Sequence, residues 1–196
     1  MTPFVTLAAA VVVIAIAWRP VRHLITALHE GGHALVAVLS GHPARVRIHA
    51  DTSGLTRSRG GGALLLAAGY PAPALAGLGC AWLTTHGKPG AVPAVLLVAV
   101  ALLLPLMRNL YGFLTILLLG AALLAATTLE PEPVAWLLTW TLLVGALRAV
   151  GEGARLSDAD QLARRTHVPA LLWRGLFWAV ALGCGLLAAW WAFGRP

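Results

Sequence analysis

Charge is scarce in this chain. Only 11% of its 196 residues are charged, acidic residues number 7, and lysine occurs once. A soluble domain of this length needs far more polar surface, so a water-exposed globule is excluded and the bilayer becomes the natural solvent. Cysteine is almost absent as well. Cys80 and Cys184 stand alone in apolar stretches, and no Cys-x-x-Cys occurs. Such a pair offers no disulfide framework and reads as packing. There is no run of Lys and Arg, which removes nucleic acid as a partner. No basic residue precedes the apolar run from Phe4 to Trp18, and no small-residue cleavage site follows it. That run is therefore expected to be a retained first membrane helix, not a signal peptide.

What is abundant is apolar sequence, at 59% of residues with a mean hydropathy of +0.83. A membrane helix takes about 20 largely apolar residues. That length gives candidate spans at 3–18, 22–40, 61–85, 91–107, 110–128, 133–150 and 168–193, the first two alternatively forming one long helix kinked at Pro20. The expected fold is an all-α polytopic membrane protein of about seven transmembrane helices, forming one integral-membrane domain over 1–196. Pro71 and Pro73 fall inside the third span and break its backbone bonding.

Two connections are more than turns. In 43–59, Ala44, Val46, Ile48 and Ala50 alternate with Arg45, Arg47, His49 and Asp51, and Thr52-Ser53-Gly54 follows. A period of two ending in turn residues predicts a small β-hairpin at the membrane surface. The stretch 151–166 is the long polar segment of the C-terminal half. Basic residues concentrate on cytoplasmic loops. Grouping the hairpin with Arg108 and 148–166 collects most of the arginines on one side, leaving Arg19, Arg22, Lys88, Arg195, Glu130 and Glu132 on the other. This predicts the N-terminus inside, the C-terminus outside, and the hairpin and polar segment together at the cytoplasmic face. Arginine in place of lysine, with abundant Ala, Gly and Leu, points to a GC-rich bacterial genome and so to a bacterial plasma membrane.

Residues 29–33 read His-Glu-Gly-Gly-His. Positions i and i+4 share a helix face, so His29 and His33 can hold one Zn²⁺. Glu30 then stands beside the metal, free to take a proton from an activated water and deliver it to a leaving amine. With 7 His and 4 Glu in the chain, chance yields this pattern roughly 0.005 times. Polar groups inside an apolar helix are costly unless bonded across helices or bound to metal. A catalytic zinc takes a third protein ligand. Candidates are Asp158, Asp160, Glu152, His23, His42, His49, His86 and His167, and spacing does not separate Asp158 from Asp160. Ser157 or Asp158 also suits the N-cap of a short helix, and Asn109 suits either a helix cap or a group polarising a substrate carbonyl.

The stretch Ala27-Leu28-His29-Glu30-Gly31-Gly32-His33-Ala34-Leu35 resembles the active-site helix of the site-2 proteases, the M50 zinc intramembrane peptidases, and most of all their small bacterial M50B-like branch. Ser53-Gly54-Leu55-Thr56 is similar to the family's Gly-x-Thr hairpin, Ala68-Gly69-Tyr70 to the start of its next helix, and Ser157-Asp158-Ala159 with Leu162-Ala163, Thr166, Pro169 and Trp173 to the branch's C-terminal signature. The family's Leu-Asp-Gly and Asn-x-x-Pro-x-Pro motifs are absent. By position the resemblance favours Asp158 as third ligand. It implies zinc-dependent cleavage of a peptide bond in or near a transmembrane segment of a membrane-protein substrate, with Glu30 catalytic and the hairpin holding the unwound segment as an added strand. Two alternatives are a zinc membrane protease of the type that trims prenylated tails, which takes a Glu as third ligand, and a non-catalytic metal-binding membrane protein.

Overall fold

A computed structural model describes residues 2–152 and 157–194. In chain order it holds α1 (Thr2–Ile16), α2 (Trp18–Leu39), β1 (Ala44–Ile48), β2 (Gly54–Ser58), α3 (Gly62–Ala68), α4 (Pro71–Thr85), α5 (Ala91–Ala101), a 3₁₀ turn (Leu104–Leu106), α6 (Leu110–Ala126), α7 (Pro131–Gly151), α8 (Asp158–Thr166) and α9 (Ala170–Phe193). Helices α1, α4, α7 and α9 pack together. Ala10, Ala74, Ala81, Ala181 and Ala188 are fully buried among them. Residues this small let backbones approach closely, which is how helices associate where lipid removes the hydrophobic drive. Outward, the same bundle shows Phe4, Val12, Leu186 and Trp190. Cys80 and Cys184 are free and buried, as expected of packing residues.

Among the described residues α7 and α9 are long and apolar enough to cross a membrane, and up to four spans result if α1 with α2 and α3 with α4 each count as one; α5 and α6 are shorter apolar helices. The expected seven separate spans are not reproduced. Phe4 stacks on Phe193 at 4.2 Å, so the outer ends of the first and last helices meet. A chain that starts and finishes at one end of a bundle crosses it an even number of times.

The reason lies in an elbow with no sequence signature. The chain turns 103° between α1 and α2, at Ala17 with φ −124° and ψ 38°. It does not kink at Pro20, which sits in the first turn of α2, where a missing N–H costs nothing. Arg148 clamps the elbow. Its Nη1 donates to the Ile14 carbonyl at 2.8 Å, satisfying a last-turn orphan of α1, and its guanidinium lies 4.5 Å over the Trp18 ring. Glu152 accepts from Trp18 Nε1 at 2.5 Å and pairs with Arg22 at 2.8 Å. Arg22 and Glu152, assigned to opposite membrane faces by counting charges, are therefore partners.

Helix α2 consequently lies across the ends of its neighbours. Ile25 packs where a Gly145 side chain would stand in α7, Gly31 faces Leu103 beyond α5, and Gly32 backs onto Ala68 and Ala72 at the α3–α4 junction. His23 donates from Nδ1 to the Arg19 carbonyl and accepts from Tyr111 at the start of α6. The 61–85 segment, expected as one helix, bends by 55° between α3 and α4, because Pro71 cannot donate to the preceding turn. The 151–166 segment is not simply a loop, since it contains α8.

The hairpin forms as its alternation predicts. Ala44, Val46 and Ile48 are buried and Arg45 and Arg47 exposed, with β1 antiparallel to β2 in the register Val46↔Thr56. Its tip is tied to α2 by the Thr26 hydroxyl, which donates to the Thr52 carbonyl at 2.8 Å. The outer edge of β1 is closed by residues 107–109. Arg108 N–H donates to the Val46 carbonyl at 2.9 Å, and Asn109 donates to the Ile48 carbonyl at 2.7 Å while accepting from its N–H at 3.3 Å. Asn109 thus neither caps α6 with its side chain nor lines the cleft; it completes the sheet edge.

If this topology holds, Thr2→Cys and Gly194→Cys will both react with an impermeant maleimide added to the same side of sealed vesicles, the two native cysteines being buried. Labelling from opposite sides contradicts it.

Candidate metal centre

Three side chains from two helices meet at one point. His29 and His33 project from one face of α2, one turn apart, and Asp158 comes from the first turn of α8. His29 Nε2 and His33 Nε2 are 3.1 Å apart, and Asp158 Oδ2 lies 3.1 Å from the first and 3.2 Å from the second. Among the described residues these form the one His/Cys/Asp/Glu group whose ligand atoms cluster closely enough for a metal ion.

The tautomer of His33 is set by its surroundings. Its Nδ1–H donates to the Leu65 carbonyl at 2.6 Å, which leaves Nε2 bare and turned toward Asp158. Leu65 offers that carbonyl because it lies in the last turn of α3, where intrahelical acceptors go unused. The break at Pro71 therefore orients His33. His29 meets Tyr70 edge-on at 4.7 Å, and Tyr70 stacks on Phe177 of α9 at 5.1 Å.

Asp158 and Asp160 are told apart by α8 itself. Ser157 caps the helix, accepting from the Asp160 N–H, while the Asp160 carboxylate accepts from the Ser157 N–H at 3.1 Å, a capping box. Arg174 of α9 holds the same carboxylate at 3.1 Å. The Ser157 hydrogen bond, with Arg174 adding to it, keeps Asp160 below the usual carboxylate range. Asp160 is thus committed to the helix end. Asp158 and Ala159 lie on the buried face with Leu162. Burial alone would raise the Asp158 pKa, but the two imidazoles outweigh it and the net direction is downward. Ser157 takes the N-cap position, and Asp158, one residue on, is the carboxylate that faces the two histidines.

Glu30 is 3% exposed and projects toward the hairpin. Thr56 Oγ1 donates to its Oε2 at 2.5 Å. A side chain at Gly54 would overlap the Glu30 carboxylate, and one at Gly69 would reach within 2.5 Å of His33 and 2.7 Å of His29. Both glycines are required by close approach. Thr56, Gly54 and Gly69 carry no signal of their own in a single sequence; only their place in family-like motifs marked them. A cleft of about 330 Å³ joins His29, Glu30, His33 and Asp158 to Gly54, Leu55 and Thr56.

The other ligand candidates are elsewhere. His23 bonds Arg19 and Tyr111, Glu152 bonds Trp18 and Arg22, His86 bonds the Trp82 carbonyl, and His167 ends α8 with φ 59°. His42 packs against Gly60, and His49 pairs with Ser53 at the hairpin turn.

The donor set fits a metal. Tetrahedral zinc at about 2.0–2.1 Å from each ligand needs its donors roughly 3.3 Å apart, close to the observed edges. Asp158 Oδ2 is buried and lacks a hydrogen-bond partner, the state of an oxygen whose partner is a cation.

The fold and this cluster together define a helical membrane protein with an internal His/His/Asp metal-type centre beside a buried glutamate. The family model described as Peptidase M50B-like matches residues 3–188, and the chain belongs to that peptidase family, the site-2 protease group. No curated protein and no solved structure gave a significant match.

Two substitutions separate the parts of the centre. Gly69→Ala displaces both imidazoles and should weaken metal retention by about 10–100-fold, whereas Gly54→Ala should displace Glu30 alone and leave bound metal unchanged. Metal analysis of the purified variants checks both, and equal retention in the two would refute the assignment.

Proposed function

We propose that this chain is a zinc-dependent intramembrane endopeptidase acting as a single integral-membrane domain. In this reading His29, His33 and Asp158 hold one Zn²⁺ and Glu30 is the general base and then the general acid. The observation that carries it is the convergence of three potential donor atoms within 3.2 Å of one another, in a cleft that also contains Glu30. Bound there, zinc supplies the Lewis acid that polarises the scissile carbonyl and makes water nucleophilic at neutral pH.

The remaining work falls to the chain. Glu30 takes the proton of the attacking water and passes it to the departing amine, with Thr56 fixing one carboxylate oxygen so that the other is free to act. Leu65 keeps the His33 tautomer, and Tyr70 and Gly69 fix the ring positions. The substrate is a transmembrane or membrane-adjacent segment that must unwind before its carbonyl is reachable. Hydrogen-bonded and non-hydrogen-bonded pairs alternate along an antiparallel ladder. The His49 N–H bonds the Ser53 carbonyl at 2.9 Å, so by alternation Gly54, Thr56 and Ser58 turn their backbone groups outward. That free edge begins beside Glu30 and suits an added substrate strand.

Every described arginine lies at the same end of the bundle as the centre, while the other end carries Lys88, Glu130 and Glu132. This supports a centre near the cytoplasmic face, in a plasma membrane of the bacterial type that the composition suggests. The prenylated-tail alternative is disfavoured because Glu152 is engaged by Trp18, Arg22 and Arg148, and Glu130 and Glu132 are at the opposite end. A purely metal-binding role gives Glu30 no task.

Glu30→Gln is expected to keep zinc while lowering cleavage of a transmembrane substrate in proteoliposomes by about 10²–10⁴-fold. Asp158→Asn is expected to lose both zinc and turnover, whereas Asp160→Asn keeps zinc. Full activity of Glu30→Gln would falsify the mechanism, and zinc retained by Asp158→Asn would remove its ligand role.

A further inference from the structure

The cleft at the centre opens into a second cavity of about 770 Å³. Leu55, Thr56, Leu65, Leu66 and Gln161 line both, so the two form one trough. Its sides are β2 and α8. Each side starts at the centre, at Gly54 and Asp158, and each leads away to a pair of arginines: Arg57 and Arg59 on the strand side, Arg164 and Arg165 in the last turn of α8.

These four side chains are exposed, and none forms an ion pair among the described residues, whose arginine pairs involve Arg22, Arg148 and Arg174. Asp160, the carboxylate on the same helix, is occupied by Ser157 and Arg174. A helix C-terminus favours Arg164 and Arg165 where they stand. Nothing comparable favours Arg57, whose partner directly across the ladder is another arginine, Arg45. Asp160 offsets part of the charge of Arg164, but like charges gathered around a concave wall still focus a positive potential that an arriving anion relieves.

We propose that this trough is a docking site for an acidic stretch of the substrate polypeptide, whose carboxylates meet Arg57, Arg59, Arg164 and Arg165 while its backbone runs along the free edge of β2. At about 3.3 Å per extended residue, the acidic positions fall roughly three to five residues from the cleaved bond. A lipid headgroup would match the charge but would leave the outward groups of Gly54, Thr56 and Ser58 without a strand to pair with. The inference rests on the peptidase reading of the adjoining cleft and adds a sequence preference to it.

The test measures binding without turnover. The full-length Glu30→Gln chain in uncharged detergent micelles is titrated with two fluorescent peptides. Each has the same Val/Thr-rich extended segment, one ending in Asp-Glu-Asp-Glu and the other in Asn-Gln-Asn-Gln. The acidic peptide should bind about tenfold more tightly, with the preference fading in high salt. Arg57→Gln/Arg59→Gln and Arg164→Gln/Arg165→Gln should each remove most of that preference, and Arg19→Gln should not. Equal binding of the two peptides, no binding of either, or an equal effect of Arg19→Gln overturns the proposal. So does loss of the preference when phosphatidylglycerol is added to the micelles, since the headgroup is then the occupant. Failure of the peptidase reading has a different signature: the unsubstituted chain would bind the acidic peptide preferentially and leave it uncut.

Discussion

Two imidazole nitrogens and a carboxylate oxygen directed at a common point repel one another unless a cation or shared protons stand between them. In this chain the three atoms are brought within 3.2 Å, with His33 and Asp158 almost wholly buried. A buried unpaired charge costs several kcal/mol by typical estimates, so the surrounding fold must hold the trio against that cost. Much of the architecture is accounted for by this need. The helix carrying the histidines, the broken helix that bonds His33, and the capped helix that presents Asp158 all converge on the point where His29, His33 and Asp158 meet.

The elbow at Ala17 makes the convergence possible. A helix running parallel to the bundle would carry His29 and His33 into the middle of a close-packed alanine interface. Turned by 103°, α2 instead lies over the bundle ends, where the α3–α4 break, the hairpin and α8 can each reach it. The hairpin folds back along α2, and through Thr26 and Thr56 it is joined both to the helix and to the Glu30 carboxylate. One edge of the sheet is closed by residues 107–109 and the other faces the cleft, so the asymmetry of the hairpin gives the site its direction.

Local periodicities were legible in the sequence, and features decided by distant partners were not. The spacing of His29 and His33 declares a shared helix face without any tertiary information, and the alternation from Ala44 to Asp51 declares a strand. The choice between Asp158 and Asp160 depends on Ser157 closing a capping box and on Arg174 arriving from α9, neither of which spacing reveals. Ala17 has nothing in its identity to mark an elbow, because the clamp comes from Arg148 and Glu152 far along the chain. For that reason a count of apolar runs gives seven spans, where the described helices long and apolar enough to cross a membrane make up to four. In sequence alone Asn109 suits a cap or a substrate contact, because its actual partner, the edge of β1, lies 61 residues away.

The whole arrangement depends on the coordination sphere. Zinc-edge X-ray absorption of the purified, zinc-loaded chain measures it directly. The expected result is one zinc per chain with two imidazole nitrogens and a carboxylate oxygen at about 2.0–2.1 Å. Zinc well below one per chain, or a first shell without two imidazoles, contradicts it.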